Sequence, residues 1–513
     1  MANNQLTPAF AWTPGAYVSA DLVSECVALF SEHYGRYSAA SPIRPGELVG
    51  FSSLKLRGLI TPTGCGLLTA KIGGRVVAYA TVARLRVADG AGFASWVSQL
   101  VTHREYRVQR IAIRLLQTAW GFSNDVAWGL ITSNPFAIRA LESATRRRCD
   151  PVRIEASADW LLEAAADAVP YVLGRPFLAE RCAINTGFFV DHSRVADKIA
   201  KVVSPDKPWL LKDLQEGEEW FGFTFLEQPP RQRTAAELGE LLGDADGVLR
   251  QAYSRMRPSG EQPWATHAAA EVEFIVSELS LAPASSVLDL GCGRGRHAVE
   301  LAARSVKVTG VDFVAESIQV AEEAARERGV KVTFLARDGR DLHLAEQFDA
   351  VVCLYDVIGS FTDNADNEAL VATVARHTRP GGSVVVSVMN YELTADLAIH
   401  KGRFADNPDI LDRIPPSNIM QATGSVFDPK HFFLDTDDRI VYRKEQFVGD
   451  GLPPWEVVVR DRRYSADELT ELFRSVGVEP VEVRCVQAGR WGTALQPTDR
   501  RAKEVLFVGR KMA

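Results

Sequence analysis

The residues best suited to chemistry lie between Ser286 and His297, in the run SVLDLGCGRGRH. Val287-Leu288-Asp289-Leu290 reads as a buried strand. Gly291-Cys292-Gly293-Arg294-Gly295 reads as a turn, and Ala298, Val299, Leu301 and Ala302 follow at helical spacing. Strand, glycine turn and helix in that order make the ligand-binding corner of an open parallel sheet. Glycine lets the backbone turn sharply and lets a ligand approach with no Cβ in the way. Asp312 stands 17 residues beyond Gly295, next to Phe313, at the end of a second predicted strand, Val306 to Val311. A carboxylate at that spacing can accept both ribose hydroxyls of an adenine nucleoside. A third strand, Val332 to Leu335, leads to Asp338-Gly339, placed to meet the adenine edge. A fourth, Phe348 to Leu354, runs into Tyr355-Asp356.

A dinucleotide fingerprint needs glycine at 291, 293 and 296, and position 296 is Arg296. The spacing found is G-x-G-x-G, with Asp289 two residues ahead of it. Taken in order, these four elements resemble the class I S-adenosylmethionine-dependent methyltransferases, over roughly Pro263 to Lys511. The resemblance implies a Rossmann-like seven-stranded domain that holds S-adenosylmethionine. Its cofactor residues would be Asp289, Gly291, Cys292, Gly293, Gly295, Asp312, Phe313, Asp338, Gly339 and Leu354. The core should continue through a helix at 367–377, a strand at 383–389, a helix at 465–476, and strands at 478–486 and 503–509. Between 390 and 464 lies an insertion with antiparallel strands at 432–434, 440–447 and 456–464. Long insertions at such a position form lids and pockets.

Tyr253, Arg443, Tyr464, Arg490 and Trp491 are the acceptor-binding candidates, with Arg460, Arg462 and Arg463 on the same charged strand. Tyr355, Asp356 and His431 are the groups placed to handle a proton. A sulfonium donor is already activated, so alignment dominates. Orientation supplies up to ~7–11 kcal/mol of a barrier, whereas a positioned base supplies about 3–5 kcal/mol. Polar positioning groups therefore suffice for an amine acceptor; a hydroxyl gains more from a base.

The first 230 residues follow another plan. Helices are expected at 21–37 and 47–59. A hairpin follows, 66–72 and 76–87, turning at Gly73-Gly74. A strand at 95–102, a helix at 113–120, a strand at 126–131 and a helix from Asn134 complete the pattern. This order resembles the GNAT (Gcn5-related) N-acetyltransferases over roughly Leu22 to Leu141. The resemblance implies acetyl-CoA as a second cofactor, held by Leu100 and Thr102 on a splayed strand, by the loop Arg107, Arg110, Ile111 and Ala112, and by Asn134. The family loop reads Arg/Gln-x-x-Gly-x-Gly/Ala, and here Arg110 replaces its first glycine. Arg110 either pairs with a phosphate or fills the site, leaving a structural or acceptor-docking module. The aromatic run Trp220, Phe221, Phe223 and Phe225 reads as core, because no basic residues interleave with it.

The 513 residues suit two or three domains, and a hydrophobic content of 46% is that of a globular chain. A net charge of −7 without a long basic run advertises no nucleic-acid groove. Seven cysteines without C-x-x-C spacing argue against a zinc site or a disulfide framework and suit the cytoplasm. No apolar run is long enough to span a membrane, and the start lacks the pattern of a signal peptide. The expectation is therefore an α/β protein with a GNAT-like mixed α/β domain at 1–230, a linker and leading helix at 231–262, and the methyltransferase domain at 263–513. It would act as a monomer or homodimer on a small-molecule acceptor, by N-methylation, and would be bifunctional if the first domain also transfers acetyl groups. Methylation of protein or RNA is the alternative.

Overall fold

Among the described residues, apolar strands build two eight-stranded sheets and one four-stranded sheet, and the chain divides into two units, 1–241 with 448–455 and 242–447 with 456–513. The computed structural model describes residues 8–87, 92–120, 123–243, 245–256, 263–447 and 455–512.

In the first unit the strands are β1 (Ala9–Pro14), β2 (Cys65–Ile72), β3 (Arg75–Arg86), β4 (Phe93–Thr102), β5 (Ala127–Thr132), β6 (Phe177–Leu178), β7 (Ala183–Asn185) and β8 (Glu218–Phe225). They form one sheet in the order β1-β2-β3-β4-β5-β8-β7-β6. β4 and β5 are parallel; the other pairs are antiparallel. The pairing of β4 with β5 stops at Val97–Leu130, while β3 follows β4 as far as Thr102. The two parallel strands therefore diverge beyond Val97. Trp220, Phe221, Phe223 and Phe225 are buried on β8. Phe221 and Phe223 pack on Trp96 at ring separations of 5.5 and 4.9 Å. The predicted helix at 47–59 is shorter, Ser53–Ile60, because the Ser52 hydroxyl caps it by accepting from Lys55 N–H.

In the second unit the strands are β9 (Ser286–Leu290), β10 (Lys307–Asp312), β11 (Val332–Ala336), β12 (Phe348–Cys353), β13 (Thr378–Met389), β14 (Lys401–Gly402), β15 (Phe432–Asp435), β16 (Ile440–Phe447), β17 (Trp455–Arg462), β18 (Val478–Gln487), β19 (Arg490–Leu495) and β20 (Glu504–Lys511). The main sheet runs β11-β10-β9-β12-β13-β20-β18-β19. It has eight strands where seven were expected, the extra one being the edge strand β19. β9 to β13 are mutually parallel, and β20 reverses direction against β13. Alternate residues enter opposite cores: Leu288 and Val351 face one, Val287 and Val352 the other. A parallel sheet covered on both faces requires such continuous apolar strands. β14 to β17 form a separate four-stranded sheet from the predicted insertion.

The leading helix expected within 231–262 is two, Ala235–Leu242 and Ala245–Arg255, with Gly243 between them at φ 64°. The first is opened by a reciprocal cap: Glu237 N–H donates to the Thr234 hydroxyl (3.2 Å) and Thr234 N–H to the Glu237 carboxylate (3.1 Å).

Candidate active site

The ends of β9, β10 and β12 open on one cavity of about 670 Å³ in the second unit. Cofactor and small-molecule sites typically span about 300–1,000 Å³. At its first wall, the amides of Gly291 and Cys292 both donate to the Val311 carbonyl (2.7 and 3.0 Å), which fastens the turn to β10. Gly291 adopts φ 77°, and a Cβ there would stand 2.3 Å from a Val357 methyl. Gly293 adopts φ 53° and has open space where its Cβ would be. One glycine is thus required for packing and the other clears room for a ligand.

Asp312 faces the turn. Its carboxylate accepts from Gly293 N–H (2.9 Å) and Val314 N–H (2.9 Å), so the two predicted halves of the site meet. Burial raises its pKa. Asp289 is buried beneath the turn, and burial pushes its carboxyl up to about 7. Its Oδ2 is buried without a hydrogen-bond partner. Cys292, Phe313, Asp338, Gly339 and Leu354 also line the cavity. Asp338 is held below the usual carboxylate range by Arg340, 2.7 Å away. Arg250, on the helix Ala245–Arg255, stacks on Phe313 (4.5 Å) and donates to its carbonyl (2.8 Å). Gly295 stands outside the lining. It opens the helix Arg296–Ala302 at φ 78°, where a Cβ would meet Ala321 at 2.8 Å.

An S-adenosylmethionine molecule fits these residues: an open glycine turn, an acid across from it and a second, orphaned acid below. No group of three or more potential metal ligands occurs among the described residues.

The same cavity holds the predicted acceptor groups in part. Tyr253, Tyr355, Asp356 and Arg443 line it. Tyr355 and Asp356 are consecutive residues at φ 60° and 67°, a left-handed pair that non-glycine residues adopt at a cost. The Tyr355 hydroxyl is bonded to Glu271, which also accepts from Gly489 N–H (2.9 Å) and meets His297 (2.7 Å). Burial lowers His297 to about 4 and, with nearby Glu504, raises Tyr355 well above its ordinary range. Burial and the charge of Asp461 raise Asp356 strongly. Its Oδ1 is buried and unpartnered.

Four candidates fall elsewhere. His431 turns Nδ1 to the Pro415 carbonyl (3.1 Å), and Arg490 is exposed on the edge strand. Trp491 is 1% exposed behind Tyr355, packed in the core. Tyr464 is buried in the other core, its ring under the Arg462 guanidinium. None of the four lines the cavity: Trp491 and Tyr464 are held by packing and His431 by its hydrogen bond, while Arg490 faces solvent. Sequence reasoning missed Glu271, His297 and Glu504, and ranked Arg463 no higher than its neighbours. All are polar residues inside helix or strand patterns, where only the fold reveals what they face.

In the first unit, Thr102 ends β4 and its carbonyl accepts from Arg107 Nε (3.1 Å). Leu100 sits opposite Ala80, on the stretch of β4 that has left β5. Ile111 and Ala112 open the helix Ile111–Trp120, and Asn134 caps the helix Pro135–Thr145 by accepting from Phe136 N–H (3.2 Å). Arg110 takes up φ 62°, the conformation a glycine would supply. Its guanidinium grips both carboxylate oxygens of Glu240 (Nε at 3.0 and 3.2 Å, Nη2 at 2.9 Å).

Comparison with known proteins finds likenesses in the second unit. Residues 287–382 match the family model of a methyltransferase domain. Over 120 residues the chain is 32% identical to the ubiquinone biosynthesis O-methyltransferase of Rickettsia felis, covering 23% of this chain and 47% of that protein. Over 127 residues it is 37% identical to the protein of the same name from Xylella fastidiosa, covering 24% and 49%. The chain thus spans about half the length of the curated relatives it matches. An S-adenosylmethionine-dependent methyltransferase structure from Clostridium acetobutylicum aligns over 48% of this chain and 92% of its own, at 15% identity and a TM-score of 0.37. Among the described residues no helix is long and apolar enough to cross a membrane.

Proposed function

We propose that the second unit transfers a methyl group from S-adenosylmethionine to a nitrogen of a small polar acceptor. The observation that carries this reading is that the Gly291–Gly293 turn and Asp312 line the same cavity as Asp356, Tyr253 and Arg443. When bound, the donor supplies a methyl group activated on a sulfonium. Asp312 is placed to accept the ribose hydroxyls, and Gly293 to let the ligand lie against the backbone. Asp289 offers its unpartnered oxygen to a donor N–H. Asp356 takes the proton that an incoming ammonium must lose before its lone pair can attack. Buried apolar walls keep water out and hold the two reactants in line, where orientation contributes most of the rate. Names of the relatives point to oxygen acceptors, so the product decides between the atoms. Calorimetry with S-adenosylhomocysteine should show saturable binding, and incubation of labelled donor with a metabolite extract should give an N-methyl product by mass spectrometry. Absence of S-adenosylhomocysteine binding by the wild type overturns the donor assignment.

For the first unit we infer a GNAT-like module that does not bind acetyl-CoA. The divergence of β4 from β5 is what supports the likeness. The bidentate Arg110–Glu240 pair, at the place where a loop should receive phosphate, supports the loss of binding. Calorimetry with acetyl-CoA should show no heat of binding; micromolar affinity would reverse this reading in favour of an active acetyltransferase.

A further inference from the structure

Along the cavity two guanidinium groups are buried more deeply than arginines normally are. The side chains of Arg443 and Arg463 are 5% and 1% exposed, yet both line the cavity. Arg443 rises from β16. Arg463 follows β17, its guanidinium 5.2 Å from the centre of the Phe427 ring. Their protein partners do not satisfy them. Arg443 Nε reaches Glu445 at 3.3 Å, but that carboxylate is already taken by the Ser417 hydroxyl (2.5 Å) and Met420 N–H (2.7 Å). Asp461 lies 2.6 Å from Arg463 Nη2 and 3.7 Å from Arg443 Nη1. Arg443 Nη1 and Arg463 Nε and Nη1 are buried with no hydrogen-bond acceptor. A buried donor without a partner is costly, and a charged one more so. Three such donors, carried by two arginines that line one cavity, suit an anionic ligand group. Guanidinium groups suit a planar carboxylate because their N–H groups match its two oxygens.

Asp356 stands beside them, with its own Oδ1 unpartnered, and both arginines act on its charge. Arg443 and Arg463 lie among three carboxylates, Glu445, Asp461 and Asp356. An acceptor that brings one carboxylate and one ammonium adds no net charge to this group. We propose that the acceptor is an amine bearing a carboxylate, with the carboxylate held by Arg443 and Arg463 and the nitrogen presented beside Asp356. This rests on the methyltransferase reading above and names its substrate class.

The test separates the two. Protein saturated with S-adenosylhomocysteine is titrated by calorimetry with L-phenylalanine and L-alanine, and with their primary amides. The carboxylates should bind about ten-fold or more tighter than the amides, the effect of one charge-assisted contact. Arg463→Gln should erase that preference while leaving S-adenosylhomocysteine affinity within two-fold of wild type, and Arg463→Lys should restore part of it. Equal affinity for acid and amide, no binding of either, or a preference that survives in Arg463→Gln overturns the proposal. If Arg463→Gln fails to fold, Arg443→Gln carries the same expectation. Loss of S-adenosylhomocysteine binding by the wild type would strike the donor assignment instead.

Discussion

Replacing Asp312 by Asn probes the centre of the proposed site with the smallest change of shape. In the structure the carboxylate accepts from Gly293 N–H and Val314 N–H, each at 2.9 Å. An asparagine keeps one oxygen for one of these and turns an NH₂ toward the other. Losing one such contact in a partly buried place costs about 1–3 kcal/mol. In a domain of this size that lowers the melting temperature by a few degrees, at roughly 2–4 °C per kcal/mol. The effect on ligand is separate. Hydrogen bonds to an ionised acceptor are roughly twice as strong as neutral ones. If two ribose hydroxyls are held, the neutral amide forfeits about 2–3 kcal/mol, a rise in Kd of about 30- to 150-fold. Calorimetry with S-adenosylhomocysteine, alongside a melting curve, reads both. A folded Asp312→Asn protein whose Kd lies within three-fold of wild type refutes the reasoning, because the acid would then be organising the turn and not holding the ligand.

The two turn glycines should behave oppositely. Gly291→Ala drives a Cβ to 2.3 Å from Val357 and should destabilise by about 2–4 kcal/mol, with partial rescue by Val357→Ala. Gly293→Ala meets nothing and should cost only the left-handed penalty of about 1–2 kcal/mol, yet weaken S-adenosylhomocysteine by calorimetry. Glu504 is buried with Oε2 unpartnered, and burial pushes it up to about 8. Being raised above its unfolded value, it adds stability that is fully present below about pH 4.5 and lost as pH rises through 8. Denaturant melts of Glu504→Gln should therefore match wild type near pH 4 and exceed it increasingly up to pH 8. Arg110→Gly relieves one left-handed residue and breaks a surface pair worth about 0–1 kcal/mol, so stability should change by less than about 1 kcal/mol. Acetyl-CoA titration of that variant then tests whether the side chain alone closes the loop.

Local order alone made the core of this protein readable. The run from Val287 to Gly295, the acid at 312 and the strands that follow are set by apolar alternation and by glycines at positive φ, properties of neighbouring residues. The reciprocal cap of Thr234 and Glu237 is likewise local, spanning only three positions. Partnership across the chain was not readable. Nothing near Arg110 in sequence announces Glu240, and nothing near Tyr355 announces Glu271. His431 and Trp491 looked available from their spacing, but packing had already claimed them. Arg443 and Arg463 read as two among several charges on alternating strands. Only folding decides which of those charges meet water and which face a cavity, because burial depends on what other segments are laid against them. The amino-acid order thus determined where a nucleoside could dock, while the tertiary structure decided which distant side chains surround its partner.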